Sequence, residues 1–510
     1  MNANRDKAKG TAYLVGAGPG RADLITVRGA EILGRADCII YDKLANPALL
    51  RFARADAEII HVPKRAGKGS FTQEQVSKVL IEKASAGGTV VRLKGGDPCM
   101  FGRCAEEAAL LADAGIDFEI VPGITAAVAA ADYTGILLTS RDYSSQVAFV
   151  TGHEAEGERE SNIDWAVLAK FEGTIAFYMG MGNLGLIAER LIEDGRSENT
   201  PVAVIADATL PSQRVVRAPL AKINRVCSEE KIQPPAIVVI GWAADSDPRL
   251  DWVARLPLFG KSVVVTRDSR GNGESAAKII AKGGNPIEFA TMTIKPLTDT
   301  NRFSETLTRL NEYDWMVFTS GNGVAVFFDA LHNLGRDARA LGSAKIAAIG
   351  SETAAKLDRY GIKADFVPSV FTGRELGDQL LKLTDVQNSK VLLLRSEIAS
   401  DELMDVLQQG GAEVENVAVY TVTPVKGKSE WLTEQIGRGR VQWLTFASPS
   451  SARMFFEQIS GEIVSSSSVK IASIGPVTSK QLQDLGISVD VTAEEHTIDG
   501  LLAAIEGTHA

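Results

Sequence analysis

Short apolar runs alternate with stretches of helical spacing along residues 11–245. Thr11–Val15 predicts a buried strand, with a helix beginning near Leu24. Cys38–Tyr41, Val90–Leu93 and Phe118–Val121 predict further strands, as do Val147–Thr151, Thr174–Met179, Val202–Ala206 and Ile237–Gly241. Brief apolar runs bounded by turn residues fit strands better than helices, and strands alternating with helices give an α/β class. Residues 244–260 carry two prolines, mixed charge and no periodicity. A linker is expected at 246–260, between one domain at 10–245 and another at 261–510.

From Lys261 onward the pattern repeats at a constant offset. Val263-Val264-Val265-Thr266-Arg267 matches Val391-Leu392-Leu393-Leu394-Arg395, and Thr293-Ile294-Lys295-Pro296 matches Thr421-Val422-Thr423-Pro424. Trp315 and Ser320 match Trp443 and Ser448, and Phe327-Phe328 matches Phe455-Phe456. After a short deletion Ile349-Gly350 matches Ile474-Gly475. Each copy is too long for a solenoid unit, so the repeat predicts two similar α/β lobes with a cleft between them.

The chain has 510 residues, 45% hydrophobic and 23% charged, which suits a globular protein of several domains. No apolar run reaches the roughly 18–20 residues of a membrane span. The polar start, MNANRDKAKG, is read as a frayed tail without the apolar core of a signal peptide. The four cysteines form no CxxC pair, which points to a reducing cytoplasm. A net charge of −10 argues against general nucleic-acid binding but leaves room for an anionic small substrate held by local basic clusters. His61 and His153 have no metal-ligand spacing, so no metal is expected.

Two glycine loops carry candidate chemistry. Gly16-Ala17-Gly18-Pro19-Gly20 follows the first strand, and Gly95-Gly96-Asp97-Pro98 follows Val90–Leu93. Glycines there let a ligand approach bare backbone. The first loop is out of register for a dinucleotide fingerprint. Its third glycine comes one residue early, behind a proline, and the Gly-Pro-Gly turn delays the helix that would hold a pyrophosphate. Strand alternation puts Arg92 and Lys94 on one face, away from Leu93.

With these loops, VGAGPGRADLITVRGAEIL, ADCIIYDKL, VPKRAGKGSFTQEQV, VVRLKGGDPCMFGR, VPGITAAVAA, VAFVTGH, IAFYMG and PVAVI stand in the order seen in uroporphyrinogen-III C-methyltransferases. Residues 11–242 therefore resemble the tetrapyrrole methylase family. The resemblance implies a two-part α/β domain holding S-adenosylmethionine (SAM) in a cleft. It carries over Pro19, Gly95, Gly96, Asp97, Met100, Thr125, Ala126, Met179 and Ala208 as SAM contacts. The residue types suit that ligand: glycine backbone for its polar groups, Asp97 for an ammonium or ribose hydroxyl, Met179 for the adenine. The resemblance also implies Asp42 as proton acceptor and Lys64 as proton donor. Uroporphyrinogen is rich in carboxylates, so Lys64, Arg65, Lys68, Arg103 and Arg141 are candidates for an anion-binding rim. The chain departs from the family at Ala208, where glycine is usual, and at Ser140, where histidine is. Pro63 replaces a glycine, Cys99 an aromatic residue, and Cys104-Ala105 a Gly-Gly pair.

Residues 261–510 resemble uroporphyrinogen-III synthase through VVVTR, FTSGNGV, AAIGSETA, VAVYTVTP, FASPSSA and ASIGPVTS. The implied architecture is bilobed α/β with the chain crossing twice, one lobe taking 261–290 plus 425–510 and the other 291–424. Hydroxyls at strand-to-helix turns become substrate candidates: Thr319, Ser320, Ser351, Thr353, Ser448, Ser450 and Thr478. Each is equally suited to capping its helix. Tyr420 matches the tyrosine proposed in that family to assist loss of hydroxide. Together the resemblances imply a cytoplasmic enzyme, dimeric through its methylase domain, that makes uroporphyrinogen III and methylates it, with SAM as methyl donor and without membrane or nucleic-acid partners. A methyltransferase of a later corrinoid, and a second half that senses tetrapyrroles rather than making them, stay open as alternatives.

Overall fold

The computed structural model describes residues 9–508 apart from 55, 63–70, 143, 153–161, 384–385, 387 and 426–428. The chain forms two compact units. One reaches to Lys261 and takes in Lys282–Asn285; the other comprises Ser262–Ala281 and Pro286 onward. Among the described residues no helix is long and apolar enough to cross a membrane.

The first unit begins with β1 (Thr11–Gly16), β2 (Cys38–Tyr41), β3 (Glu58–His61), β4 (Thr89–Lys94) and β5 (Asp117–Val121). They form a parallel sheet in the order β3-β2-β4-β1-β5. The central strands are buried on both faces, which explains their near-continuous apolar runs. Val90 joins one apolar cluster while Val91 and Leu93 join another on the opposite face. A second sheet follows from β6 (Val147–Thr151), β7 (Thr174–Tyr178), β8 (Pro201–Ala206), β9 (Arg214–Pro219) and β10 (Ala236–Ile240), ordered β6-β7-β10-β8-β9. Only β6 and β7 pair in parallel; the rest of this sheet is antiparallel.

Two strands have no counterpart in the sequence reading. β3 and β9 both lie at sheet edges; β3 is mostly exposed and β9 mostly half-buried between its two exposed arginines, so neither shows a clear strand pattern. The first helix also starts later than expected. A single 3-10 turn occupies Ala22–Leu24, and the α-helix spans Val27–Leu33 with Thr26 as its cap. The segment after β10 holds only short turns, yet it is docked: Val253 and Leu258 are buried, and the Trp252 indole donates to Asp132 O at 2.9 Å.

The second unit contains β11 (Ser262–Val265), β12 (Asn285–Glu288), β13 (Met292–Pro296), β14 (Trp315–Phe318), β15 (Lys345–Ala348), β16 (Lys390–Ser396), β17 (Glu413–Pro424), β18 (Trp443–Phe446), β19 (Lys470–Ser473) and β20 (Val491–Thr492). One sheet runs β12-β11-β18-β19-β20 and the other β13-β17-β16-β14-β15. Strands matched by the sequence repeat take equivalent places: β11, β18 and β19 are consecutive in one sheet as β16, β14 and β15 are in the other. The packing echoes this. Lys345 sits over Trp315 at 5.4 Å and Lys470 over Trp443 at 5.5 Å. Phe318 meets Phe327 at 5.5 Å, and Phe446 meets Phe455 at 5.3 Å. The Ile346 and Ile471 amides donate to Asp365 and Asp490 at 2.8 and 2.7 Å. Each sheet thus combines strands from both copies, with the chain passing between sheets after β12 and after β17.

Candidate functional site

The two glycine loops of the first unit meet backbone to backbone. The Gly18 amide donates to Gly96 O at 3.2 Å and the Gly96 amide to Gly18 O at 2.7 Å. Both glycines have positive φ, 74° and 70°, a conformation that favours residues without Cβ. A third glycine closes the arrangement. A Cβ at Gly123 would lie 2.3 Å from Gly96 O and 2.9 Å from Gly16 Cα. Gly123 lies within a motif quoted above, but nothing in the sequence marked it as a contact; only its pairing partners do.

Asp97 stitches these loops together. Its Oδ1 accepts the Cys99 amide at 2.9 Å and its Oδ2 the Gly123 amide at 3.0 Å. Both oxygens are therefore engaged in holding the turn, a role the sequence reading had not given this carboxylate. Met100, Ala126 and Ala208 pack on one apolar cluster around Tyr178, whose hydroxyl bonds Thr125 Oγ1 at 2.7 Å and accepts the Ala127 amide at 3.2 Å. Burial pushes the Tyr178 hydroxyl above the usual tyrosine range. Met179 follows with φ of 55° and is 51% exposed. Half-buried Pro19 precedes Gly20, where an added Cβ would lie 3.1 Å from Ala208 O. The residues the resemblance assigned to SAM thus gather around the carboxyl end of β1 and β4, where parallel α/β sheets commonly bind ligands. A Cβ at Gly96 would meet nothing closer than the Ala126 amide at 3.7 Å, so bare backbone lies open beside small side chains. Such a surface suits a flat, polar and partly apolar ligand like SAM.

Asp42 follows β2 beside this loop; a Cβ on Gly95 would lie 2.7 Å from Leu44 Cβ. Asp42 Oδ1 accepts the Leu44 amide at 3.1 Å, and Oδ2 accepts Arg92 Nη2 at 3.0 Å. Lys64, Arg65 and Lys68 lie outside the described residues. Arg103 is not a free cation. It forks onto Glu106 at 2.8 and 2.6 Å, which offsets the charge expected of a rim residue. Arg141 is exposed beside the Ser140–Ser144 bridge.

In the second unit Tyr420 is buried, pairs in register with Ser396, and its hydroxyl bonds Ser320 Oγ at 2.9 Å. Burial pushes this hydroxyl up from the ordinary range. Ser320 and Ser448 are equivalent caps, accepting the Gly323 and Ser451 amides at 3.0 and 3.1 Å. Ser448 also bonds Ser450 at 3.1 Å. Thr319 is half-buried beside Ser320, and Ser351 is exposed at the start of its helix. Thr353 and Thr478 are 4% and 3% exposed, so a ligand over those helix starts meets backbone before hydroxyl.

A family profile described as Tetrapyrrole (Corrin/Porphyrin) Methylases matches residues 11–224, and one described as Uroporphyrinogen-III synthase HemD matches residues 273–503. The chain is 34% identical over 493 residues to the porphyrin biosynthesis protein HemD of Ruminiclostridium josui, covering 97% of each. It is 38% identical over 352 residues to the uroporphyrinogen-III C-methyltransferase of Bacillus subtilis (strain 168), covering 69% of this chain and 72% of that one. Among solved structures, the uroporphyrin III C-methyl transferase of Thermus thermophilus is 34% identical with a TM-score of 0.40, over 46% of this chain and 99% of its own. The chain belongs to the family that joins a tetrapyrrole methylase to a uroporphyrinogen-III synthase.

Proposed function

We infer that this one chain closes hydroxymethylbilane to uroporphyrinogen III, with inversion of ring D, and then methylates the product twice to give precorrin-2, on the route to sirohaem or cobalamin. Residues 10–245 act as the methylase and 261–510 as the synthase, whose lobes are 261–290 with 425–510 and 291–424. The single observation that carries methylation is the junction of Gly18, Gly96 and Gly123 beside Thr125 and Ala126, a bare-backbone cradle of the kind SAM requires.

SAM supplies an electrophilic methyl group on its sulfonium. The protein's own task is to place a pyrrole carbon in line with that methyl and to accept the ring-nitrogen proton whose release makes the carbon nucleophilic. Asp42 takes that proton and Lys64 returns one. Arg65, Lys68 and Arg141 hold substrate carboxylates, while Arg103 contributes only its half-neutralised fork. In the second half, hydroxide leaves hydroxymethylbilane to give a stabilised azafulvene cation. Tyr420 donates to the departing oxygen, and Thr319, Ser320 and Ser448 with nearby helix amides hold the acid side chains. The enzyme works in the cytoplasm as a homodimer through the methylase half, without a metal.

Incubating the full chain with hydroxymethylbilane and SAM is expected to yield precorrin-2 and two equivalents of S-adenosylhomocysteine, read by absorbance and mass spectrometry. Release of the type I isomer alone would sink the synthase assignment. Methylation confined to an already methylated corrinoid would sink the other. Tyr420→Phe should slow ring closure roughly fivefold without abolishing it, since the change removes one hydrogen bond of about 1 kcal/mol while the fold of the bilane is kept. A rate unchanged in a stopped assay of the type III isomer would remove the tyrosine from the chemistry.

A further inference from the structure

β4 buries two cations on one face. Arg92 is 0% exposed and Lys94 4%, both on the side that Val90 occupies. Facing them is Glu107 of the helix Cys104–Asp113, itself 0% exposed. Glu107 Oε1 accepts from Arg92 Nε at 3.4 Å and from Gln73 Nε2 at 2.8 Å, and Oε2 accepts from Lys94 Nζ at 2.5 Å. Arg92 Nη1 donates to Leu93 O at 3.0 Å, and Nη2 reaches Asp42 Oδ2 at 3.0 Å. The guanidinium is thereby fixed at three nitrogens. Two positive and two negative groups balance, all but the half-buried Asp42 shut away from water.

Such a network is not a cheap way to stabilise a fold. Removing ions from water costs several kcal/mol each, and apolar side chains of similar volume commonly do as well or better. What it supplies is orientation. Asp42 has one carboxylate oxygen fixed by the Leu44 amide and the other by Arg92, so neither can swing. The same Glu107 ties Lys94, whose carbonyl accepts the Ala17 amide at 2.7 Å immediately before the Gly95-Gly96 loop.

We propose that Glu107 and Arg92 are positioning residues for methylation: Glu107 locks the guanidinium, and the guanidinium aims the Asp42 carboxylate at the substrate beside the methyl-donor loop. This rests on Asp42 serving as the base. Positional errors of about 1 Å cost on the order of a hundredfold in rate.

The test uses the full chain. Arg92→Lys and Glu107→Gln are expected to lower the methylation kcat roughly 10- to 100-fold, with KM for uroporphyrinogen III and Kd for S-adenosylhomocysteine moved by less than about threefold. A packing defect alone would move all three together. In an Asp42→Asn background, Arg92→Lys should cost less than about threefold more, because its effect passes through the carboxylate. Should Arg92→Lys fail to fold, as loss of S-adenosylhomocysteine binding would reveal, the pair Arg92→Met with Glu107→Gln keeps the buried charge balanced and carries the same expectation. An equal loss from Arg92→Lys in both backgrounds, or full turnover in Arg92→Lys while Asp42→Asn is impaired, overturns the positioning role alone. Full turnover in Asp42→Asn overturns the base assignment and this proposal with it.

Discussion

Asp42→Asn is expected to lower methylation of uroporphyrinogen III by about 10²–10⁴-fold, the range a positioned general base contributes. Asparagine keeps the volume and an oxygen for the Leu44 amide at the end of β2, so the turn beside Gly95 is preserved. What it loses is the ability to take a proton. Binding of S-adenosylhomocysteine, followed by calorimetry, should change little, because the cradle proposed for it is formed by Gly18, Gly96 and Gly123 rather than by this carboxylate. Ring closure by the second half should be untouched. Turnover within threefold of the parent would leave Asp42 as a turn residue and an ion-pair partner only.

The second large effect is expected at Gly123. Alanine there would bring its Cβ to 2.3 Å from Gly96 O and 2.9 Å from Gly16 Cα, both backbone atoms that cannot rotate aside. The loops must move apart, and the Gly123 amide then loses Asp97. Overpacking of this kind costs about 1–3 kcal/mol, or roughly 5- to 150-fold in affinity if it is felt at the methyl donor. We expect S-adenosylhomocysteine affinity to fall toward the upper end, with methylation lost in parallel and uroporphyrinogen III still formed. Gly96→Ala is the milder comparison. Its Cβ has room, and the cost is the left-handed backbone alone, about 1–2 kcal/mol. Equal affinities in the parent and Gly123→Ala would mean that the three-glycine junction does not hold the donor.

The sequence reveals the centres of the sheets better than their margins. β1 and β2 are apolar because both faces are covered, and their runs stand out in any window, as does Val90–Val91 of β4 before its two buried cations. β3 and β9 lie at the edges, so their alternation carries too little contrast to be seen. The repeat in the second half is plain because its tryptophans and paired phenylalanines do the same packing in both sheets. Strand order leaves no mark in periodicity, and the exchange of strands between copies became an expectation only through the family resemblance.

The site follows the same logic. Glycine loops are visible because glycine is rarely placed by chance in a tight turn. Glu107 is not, since beside Glu106 on an amphipathic helix it reads as one more solvated acid until Arg92 and Lys94 are found beneath it. Asp97 shows a second kind of hidden role. Its position in the loop advertises a ligand contact, while both its oxygens turn out to be spent on the Cys99 and Gly123 amides.

The interleaving of the second unit bears on how it could have arisen and how it must fold. Cutting the chain between β15 and β16 separates the two copies in sequence, yet neither fragment keeps a whole sheet. One would retain β11 and β12 with the bare flank that β18 normally covers, the other β16 and β17 without β14. Each would display an unpaired, apolar strand border, the very surface that drives edge-to-edge association. A lone copy could close a sheet only by pairing its own β11 with its own β14, as their equivalents pair here; in this chain each copy instead completes the other's sheet, so neither is finished until both are present.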